Sequence, residues 1–223
     1  MKLFIAYKNY SSWSLRPWLA LKVAGIEFEE VIFPFYHDAS LKDFAKREGI
    51  PATVPVLQFQ EQIIWDSMAI METLAEAFPD KGLWPKSSAW RAMARSASAE
   101  MHSGFIALRS QFPMNCRRQY KVAANEATLK DLARLAQLWQ TFYQPVSHLS
   151  ASKKEGPFLC GDFSILDAMY APVLWRVKNY GLYVSDEFEA WSQAMLALPA
   201  MQEWLADAEA EHWVIEDYDG VGL

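Results

Sequence analysis

Cysteine and histidine are scarce in this 223-residue chain, with two of the first and four of the second. Cys116 and Cys160 stand too far apart for a CxxC redox pair or a disulfide framework, and they read as two idle thiols. His37, His102, His148 and His212 lack ligand spacing, so no metal is expected. An excess of basic residues is also missing. Lys and Arg number 21 against 27 Asp and Glu, a net charge of −6, which is the wrong sign for a nucleic-acid surface. No apolar run approaches the roughly 20 residues of a membrane helix. The apolar stretch after Met1-Lys2 is too short for a signal peptide. The expectation is a cytoplasmic protein in a reducing compartment, partnered by neither membrane nor nucleic acid. Without a secretory signal, the Asn9-Tyr10-Ser11 glycosylation sequon is accidental.

Apolar residues are plentiful, at 52% of the chain, enough to bury a sizeable core and to argue against disorder. The first third alternates between two periods. "KLFIAY" (Lys2 to Tyr7) is strand-like, and Leu15, Trp18, Leu19 and Val23 then mark one helix face that stops at Gly25. "EFEEVIF" (Glu27 to Phe33) alternates as a second strand, ended by Pro34, and a short helix spans Ser40 to Glu48. "TVPVLQF" (Thr53 to Phe59) and "QIIW" (Gln62 to Trp65) are close enough to form an antiparallel hairpin. Asp66 to Phe78 is helical, with Asp66 or Ser67 as N-cap. The order β-α-β-α-β-β-α is that of a thioredoxin-like fold. "PDKGLWPKSS" (Pro79 to Ser88) reads as a linker. Beyond it the signals are almost all helical: Ala89 to Phe112 as one long pattern interrupted by Gly104 and closed by Pro113, then Asn125 to Leu149 with a break near Pro145, Ser164 to Gly181, Glu187 to Leu196 and Pro199 to Glu211. The tail from His212 has no clear period.

Four places in this order carry candidate chemistry. "NYSSWSLRPW" (Asn9 to Trp18) crowds serines at a helix start; Ser12 or Ser14 suits the N-cap, with Pro17 in the first turn. No G-x-S-x-G elbow is present, so a serine hydrolase is excluded, and a serine here instead donates a hydrogen bond to a bound anion. Pro55 either opens an edge strand or follows a cis peptide bond that turns the Val54 backbone toward a peptide-like ligand. Asp66 and Ser67 are either an ordinary cap or a carboxylate grip at a helix N-terminus. Ser164 and Asp167 form a capping box, a structural feature.

Taken together and in order, "SSWSLRPWLAL", "VPVL", "WDSMAI", the "LWP" linker and "GDFSILDA" resemble the glutathione transferase superfamily over essentially the whole chain. The opening stretch is most similar to zeta-type and related bacterial serine transferases, whose pattern is Ser-Ser-Cys-Ser-x-Arg; Trp13 stands in the cysteine position. The resemblance implies an α/β thioredoxin-like domain over 1–79, a linker over 80–88 and an all-α helical bundle over 89–223. It implies a homodimer that takes glutathione as co-substrate, without a metal, and a small hydrophobic electrophile, as in detoxification. Ser11 falls on the serine that faces the glutathione sulfur, with Ser12 as its competitor. Trp13 lies beside the thiol, Val54 before Pro55 pairs with the cysteinyl backbone, and Asp66 and Ser67 hold the γ-glutamyl end. Ser14 is left for capping. His102, Phe105 and Arg109, at i, i+3 and i+7 of one helix, are expected to line the second-substrate pocket with Trp13. Thr53 replaces the Lys or Arg that many members carry before the Val-Pro, which leaves Lys42 or His37 for the glycyl carboxylate. Two alternatives remain beside the transferase: an isomerase of the maleylacetoacetate type, weakened by Trp13, and a ligand-binding protein without turnover.

Overall fold

The computed structural model describes residues 1–34, 39–144 and 155–221. Four short strands, β1 (Lys2–Ile5), β2 (Glu29–Ile32), β3 (Val56–Phe59) and β4 (Gln62–Trp65), form a mixed sheet in the order β2-β1-β3-β4. β1 pairs parallel with β2 and antiparallel with β3, and β3–β4 is an antiparallel hairpin. The period-2 pleat sorts the apolar residues. Leu3, Ile5 and Leu57 face α1 (Ser12–Val23) and α3 (Ser67–Ala77), while Phe4 and Val56 face α2 (Ser40–Glu48) through Phe33, Leu41 and Phe44. The fold is the thioredoxin-like one read from the element order.

β1 ends two residues before the expected Tyr7. The Ala6 amide is diverted to Ser14 Oγ at 3.1 Å, and Tyr7 O accepts from the amides of Tyr10 and Ser11, so the ladder gives way to a turn. α1 then begins at Ser12, and Pro17 sits in its second turn rather than its first.

The rest is helical: α4 (Ser88–Ser103), α5 (Ile106–Gln111), α6 (Glu126–Tyr143), α7 (Ile165–Asn179), α8 (Asp186–Leu196), α9 (Pro199–Ala210) and a single turn, α10 (Glu216–Asp219). The single pattern expected over 89–112 is two helices. Gly104 is extended, and Phe105 adopts a left-handed φ of 56°. A Cβ at Gly104 would lie 2.7 Å from Glu100 O, so only glycine fits this break. The break expected near Pro145 lies outside the described residues.

α7 is the central helix, buried nearly along its whole length and packed on α1 and α4. Its capping box forms as read. Asp167 accepts from the Ser164 amide at 2.9 Å and hydroxyl at 3.1 Å. It also takes the Leu159 amide at 3.0 Å and Trp191 Nε1 at 2.9 Å, tying the loop before α7 to α8. The aperiodic tail folds back over the start of the chain. Glu211 accepts from the amides of Lys8 and Asn9 at 2.6 and 3.0 Å, Tyr10 Oη donates to Asp219 at 3.0 Å, and Trp213 packs on Tyr7. Among the described residues, no helix is long and apolar enough to cross a membrane.

Candidate active site

A cavity of about 730 Å³ opens where the sheet meets α5, α7 and the tail. Ser11, Ser12, Trp13, Val54, Pro55, Asp66, Ser67 and Arg109 all line it, so the structure brings together eight of the expected site residues. The Val54-Pro55 bond is cis.

The serines divide their tasks differently from the expectation. Ser11, not Ser12 or Ser14, is the N-cap of α1, its Oγ accepting from the Ser14 amide at 3.4 Å. Ser14 is fully buried, and its Oγ lies 2.7 Å from Ser11 Oγ and takes the Ala6 amide. Helix α1 begins one residue after Ser11, so the cap falls on the first serine of the motif and Ser14 turns inward under it. Ser12 also lines the cavity, and its hydroxyl makes no hydrogen bond among the described residues.

Asp66 caps α3 from a left-handed φ of 74°, with Oδ1 accepting from the Met68 and Ala69 amides at 2.8 and 3.3 Å. Its Oδ2 lies 3.1 Å from His102 Nε2. Ser67 opens α3, is 1% exposed, and its Oγ has no hydrogen-bond partner among the described residues although it lines the cavity. A buried hydroxyl without a partner costs about 1–3 kcal/mol, and a ligand anion at this helix N-terminus would remove that cost.

The opposite wall is basic and aromatic. The Trp13 ring carries the Arg16 guanidinium at 4.2 Å and that of Arg109 at 4.8 Å, with His102 edge-on at 5.3 Å. Arg16 is buried, and its Nε and Nη1 have no partner among the described residues. Burial, with repulsion from Arg109 and Arg176, pulls it down to about 9 while Asp66 pulls it up, so the cation persists at neutral pH. Arg176 lines the cavity and donates to the carbonyls of Arg109 and Phe112; burial lowers it to about 10. Burial also lowers Arg109, which donates to the carbonyls of His102 and Gly104 at 3.4 and 3.1 Å. Arg109 and Arg176 thus line the cavity with Arg16 buried behind Trp13, and a ligand anion would lower the repulsion among the three.

Two expected pocket residues do not line the cavity. The break at Gly104 places His102 on α4 and Arg109 on α5, so the three are not on one helix face. His102 stands behind Trp13 and Asp66, and Phe105 packs in the core against Tyr170. Lys42 is exposed on α2 and does not line the cavity either; His37 lies outside the described residues. Near Thr53 the lining is Leu41, Pro51 and Ala52. Sequence reasoning missed Tyr7, Tyr10, Ile106, Ser110, Arg176, Ile215 and Tyr218, which also line it. Arg176 alone had a local signal, as a charge inside the apolar "APVLWRVKNYG".

Neither cysteine forms a disulfide, and both are buried. Burial pushes the Cys116 thiol far above the ordinary thiol range. Iodoacetamide at about pH 8 is expected to leave Cys116 unmodified in the folded protein and to alkylate it fully in denaturant. Mass spectrometry of the Cys116 peptide checks this, and ready labelling of native protein would contradict it. Among the described residues no group of three or more His, Cys, Asp or Glu is placed to hold a metal ion.

The fold and cavity define a class: a thioredoxin-like domain whose ligand cleft is walled by an appended helical domain. The comparisons agree. Residues 10–77 match the family model "Glutathione S-transferase, N-terminal domain", and residues 123–207 match "Glutathione S-transferase, C-terminal domain". The chain belongs to the glutathione S-transferase superfamily. It is 34% identical over 102 residues to a probable maleylacetoacetate isomerase of Caenorhabditis elegans, a match spanning 46% of each chain, about half the length of that relative. It is 26% identical over 201 residues to glutathione S-transferase GstB of Escherichia coli K12, covering 83% of this chain and 88% of that one. A solved zeta-class bacterial maleyl pyruvate isomerase superposes with a TM-score of 0.69 at 21% identity, covering 95% of this chain and 99% of that one, a likeness of fold.

Proposed function

We propose that this chain is a glutathione transferase that ionises the glutathione thiol with Ser11 and joins the sulfur to a small electrophile. The observation that carries the proposal is the pairing, in one cavity, of two serine-bearing helix N-termini with Arg109 and Arg176, neither of which forms a salt bridge among the described residues. The hydroxyl and amide of Ser67, at the start of α3, receive the γ-glutamyl carboxylate, and the Val54 backbone pairs with the cysteinyl unit. Both place the thiol at Ser11. A free thiol has a pKa of about 8.5 and is mostly protonated at neutral pH. A hydrogen bond to an anion contributes roughly 1.5–3 kcal/mol. The start of α1 adds about 0.3–1. At about 1.4 kcal/mol per unit, these lower the thiol by roughly one to three units, and the buried Arg16 cation acts in the same direction. The thiol proton leaves to solvent. The thiolate then forms a carbon–sulfur bond with the acceptor, whose leaving group or π electrons take the displaced pair. The working unit is a cytoplasmic homodimer, with residues 1–79 binding glutathione, 80–88 linking, and 89–223 completing the acceptor site. Glutathione consumption against a panel of neutral and anionic electrophiles, with sedimentation to fix the oligomer, tests the whole proposal. Glutathione binding without turnover of any acceptor would leave a binding protein instead.

A second reading rests on Arg109 and Arg176 together. Two guanidinium groups suit an acceptor that carries carboxylates, as in an isomerase that adds the thiolate to a cis double bond, lets the new single bond rotate, and expels the thiolate. Glutathione is then returned rather than consumed, which distinguishes the two reactions. In either case Arg109→Ala is expected to raise KM for an anionic acceptor roughly tenfold, with KM for glutathione and turnover of a neutral acceptor little changed. Steady-state kinetics with a matched acid and ester checks this; equal effects on both acceptors would remove the ionic role.

A further inference from the structure

The proton inventory of the serine motif adds a residue to this site. Ser14 is fully buried, in the first turn of α1 behind the cavity wall. Its Oγ has two neighbours within hydrogen-bond distance: the Ala6 amide at 3.1 Å and Ser11 Oγ at 2.7 Å. Ser11 Oγ in turn has the Ser14 amide at 3.4 Å and the Ser14 hydroxyl. Both amides are donors only. Two hydroxyl hydrogens therefore compete for one oxygen–oxygen contact. If the Ser11 hydrogen fills it, the Ser14 hydrogen is left in a dry interior with no acceptor among the described residues. If the Ser14 hydrogen fills it, Ser14 is satisfied and the Ser11 hydrogen points to the cavity. Buried polar groups are overwhelmingly paired, which selects the second order.

We infer that Ser14 is a positioning residue of the reaction: it donates its hydroxyl to Ser11 Oγ and so frees the Ser11 proton for the glutathione sulfur. This rests on the proposal that Ser11 faces that sulfur. The chain of donors runs from the Ala6 amide, through Ser14 and Ser11, to the thiolate. Each link polarises the next, because a hydroxyl that accepts a hydrogen bond is a stronger donor. The end of β1 belongs to the device, since the strand stops at Ile5 and releases the Ala6 amide to start the relay. Ser11 Oγ is also held by two donors from one residue, which fixes its direction before any ligand arrives.

The test is the pH profile of kcat/KM for glutathione with a neutral acceptor, alongside ultraviolet difference titration of the bound thiol. Wild type, Ser14→Ala, Ser14→Cys, Ser11→Ala and the Ser11→Ala/Ser14→Ala double variant are compared. Ser14→Ala is expected to move the acid-limb midpoint up by about 0.5–1 pH unit, with little change in the dissociation constant for glutathione. Ser14→Cys keeps the volume but donates weakly, and is expected to move it in the same direction. It serves if Ser14→Ala leaves the Ala6 amide unpaired and folds poorly. In the Ser11→Ala background, Ser14→Ala is expected to move the midpoint no further. Midpoints within about 0.2 unit of wild type for both Ser14 variants, beside a shifted Ser11→Ala, would overturn the relay and leave Ser11 in place. An unshifted Ser11→Ala would overturn the Ser11 assignment, and the relay with it. A Ser14→Ala shift that persists in the double variant would show that Ser14 acts on the thiol by another route.

Discussion

At about pH 6.5, Ser11→Ala is expected to turn over glutathione with a kcat/KM roughly 10- to 100-fold below wild type, and most of the deficit should vanish near pH 9. Below both midpoints the thiolate fraction falls tenfold for each unit by which the thiol pKa rises, and one hydrogen bond to the anion is worth one to two units. Above about 8.5 solvent ionises the thiol without help, so the hydroxyl loses its advantage. The pH dependence thus separates a lost thiolate donor from a damaged fold, which would lower the rate at every pH. Ser12→Ala is the comparison. Ser12 is the first residue of α1, and its hydroxyl makes no hydrogen bond among the described residues. Its loss is expected to change the rate by less than about threefold, the small effect usual where no partner is lost. The rates are read from thioether formation with a neutral acceptor. A deficit in Ser12→Ala instead of Ser11→Ala would move the thiolate donor one residue along the motif.

Asp167→Ala is expected to be the most destabilising single change in the helical domain. Asp167 is fully buried and serves four donors: two backbone amides, the Ser164 hydroxyl and the Trp191 indole. Removing the carboxylate leaves these groups buried and unpaired, at about 1–3 kcal/mol each. Desolvation of the carboxylate, which raises its pKa in the folded protein, offsets part of the loss. A net cost of about 3–5 kcal/mol is expected. For a chain of this size that is a fall of roughly 8–15 °C in Tm. Asp167→Asn keeps one acceptor oxygen and should lose about half as much. Calorimetry checks the numbers, and a fall under about 3 °C for Asp167→Ala would show that the four donors find other partners. Asp167 does not line the cavity, so kcat per folded molecule should hold.

What was legible in the sequence is what local chemistry decides. The span expected for α2, Ser40 to Glu48, matches the helix, whose polar and apolar positions are cleanly sorted and which Gly49 ends in a left-handed turn. The cap at Ser164 is legible too, and the sequence narrows that of α3 to Asp66 or Ser67, of which Asp66 is the cap. The misreadings share one cause: a distant partner overrides local grammar. α4 and α5 read as one helix because nothing within 89–112 reveals that Asp131, 23 positions further on, accepts the Leu108 amide at 2.9 Å and stabilises a new helix start. Ser14 looked like a cap because the Ala6 amide that claims it comes from the end of a strand. Arg176, Ile215 and Tyr218 reach the cavity through tertiary packing that periodicity cannot register.

The tail that closes over Lys8, Asn9 and Tyr10 also sets a timetable for synthesis. Glu211 grips amides 203 and 202 positions earlier in the chain, and Asp219 meets a tyrosine 209 positions earlier. At about 5–20 residues per second, the loop carrying Ser11 leaves the ribosome roughly 10–40 s before the segment that fastens it. In that interval Cys116 and Arg117 can bond Asn9 and Tyr10, but the contacts of the tail are still missing. A nascent chain cut short anywhere before residue 211 therefore leaves the loop that carries Ser11 without the contacts that Glu211 and Asp219 supply.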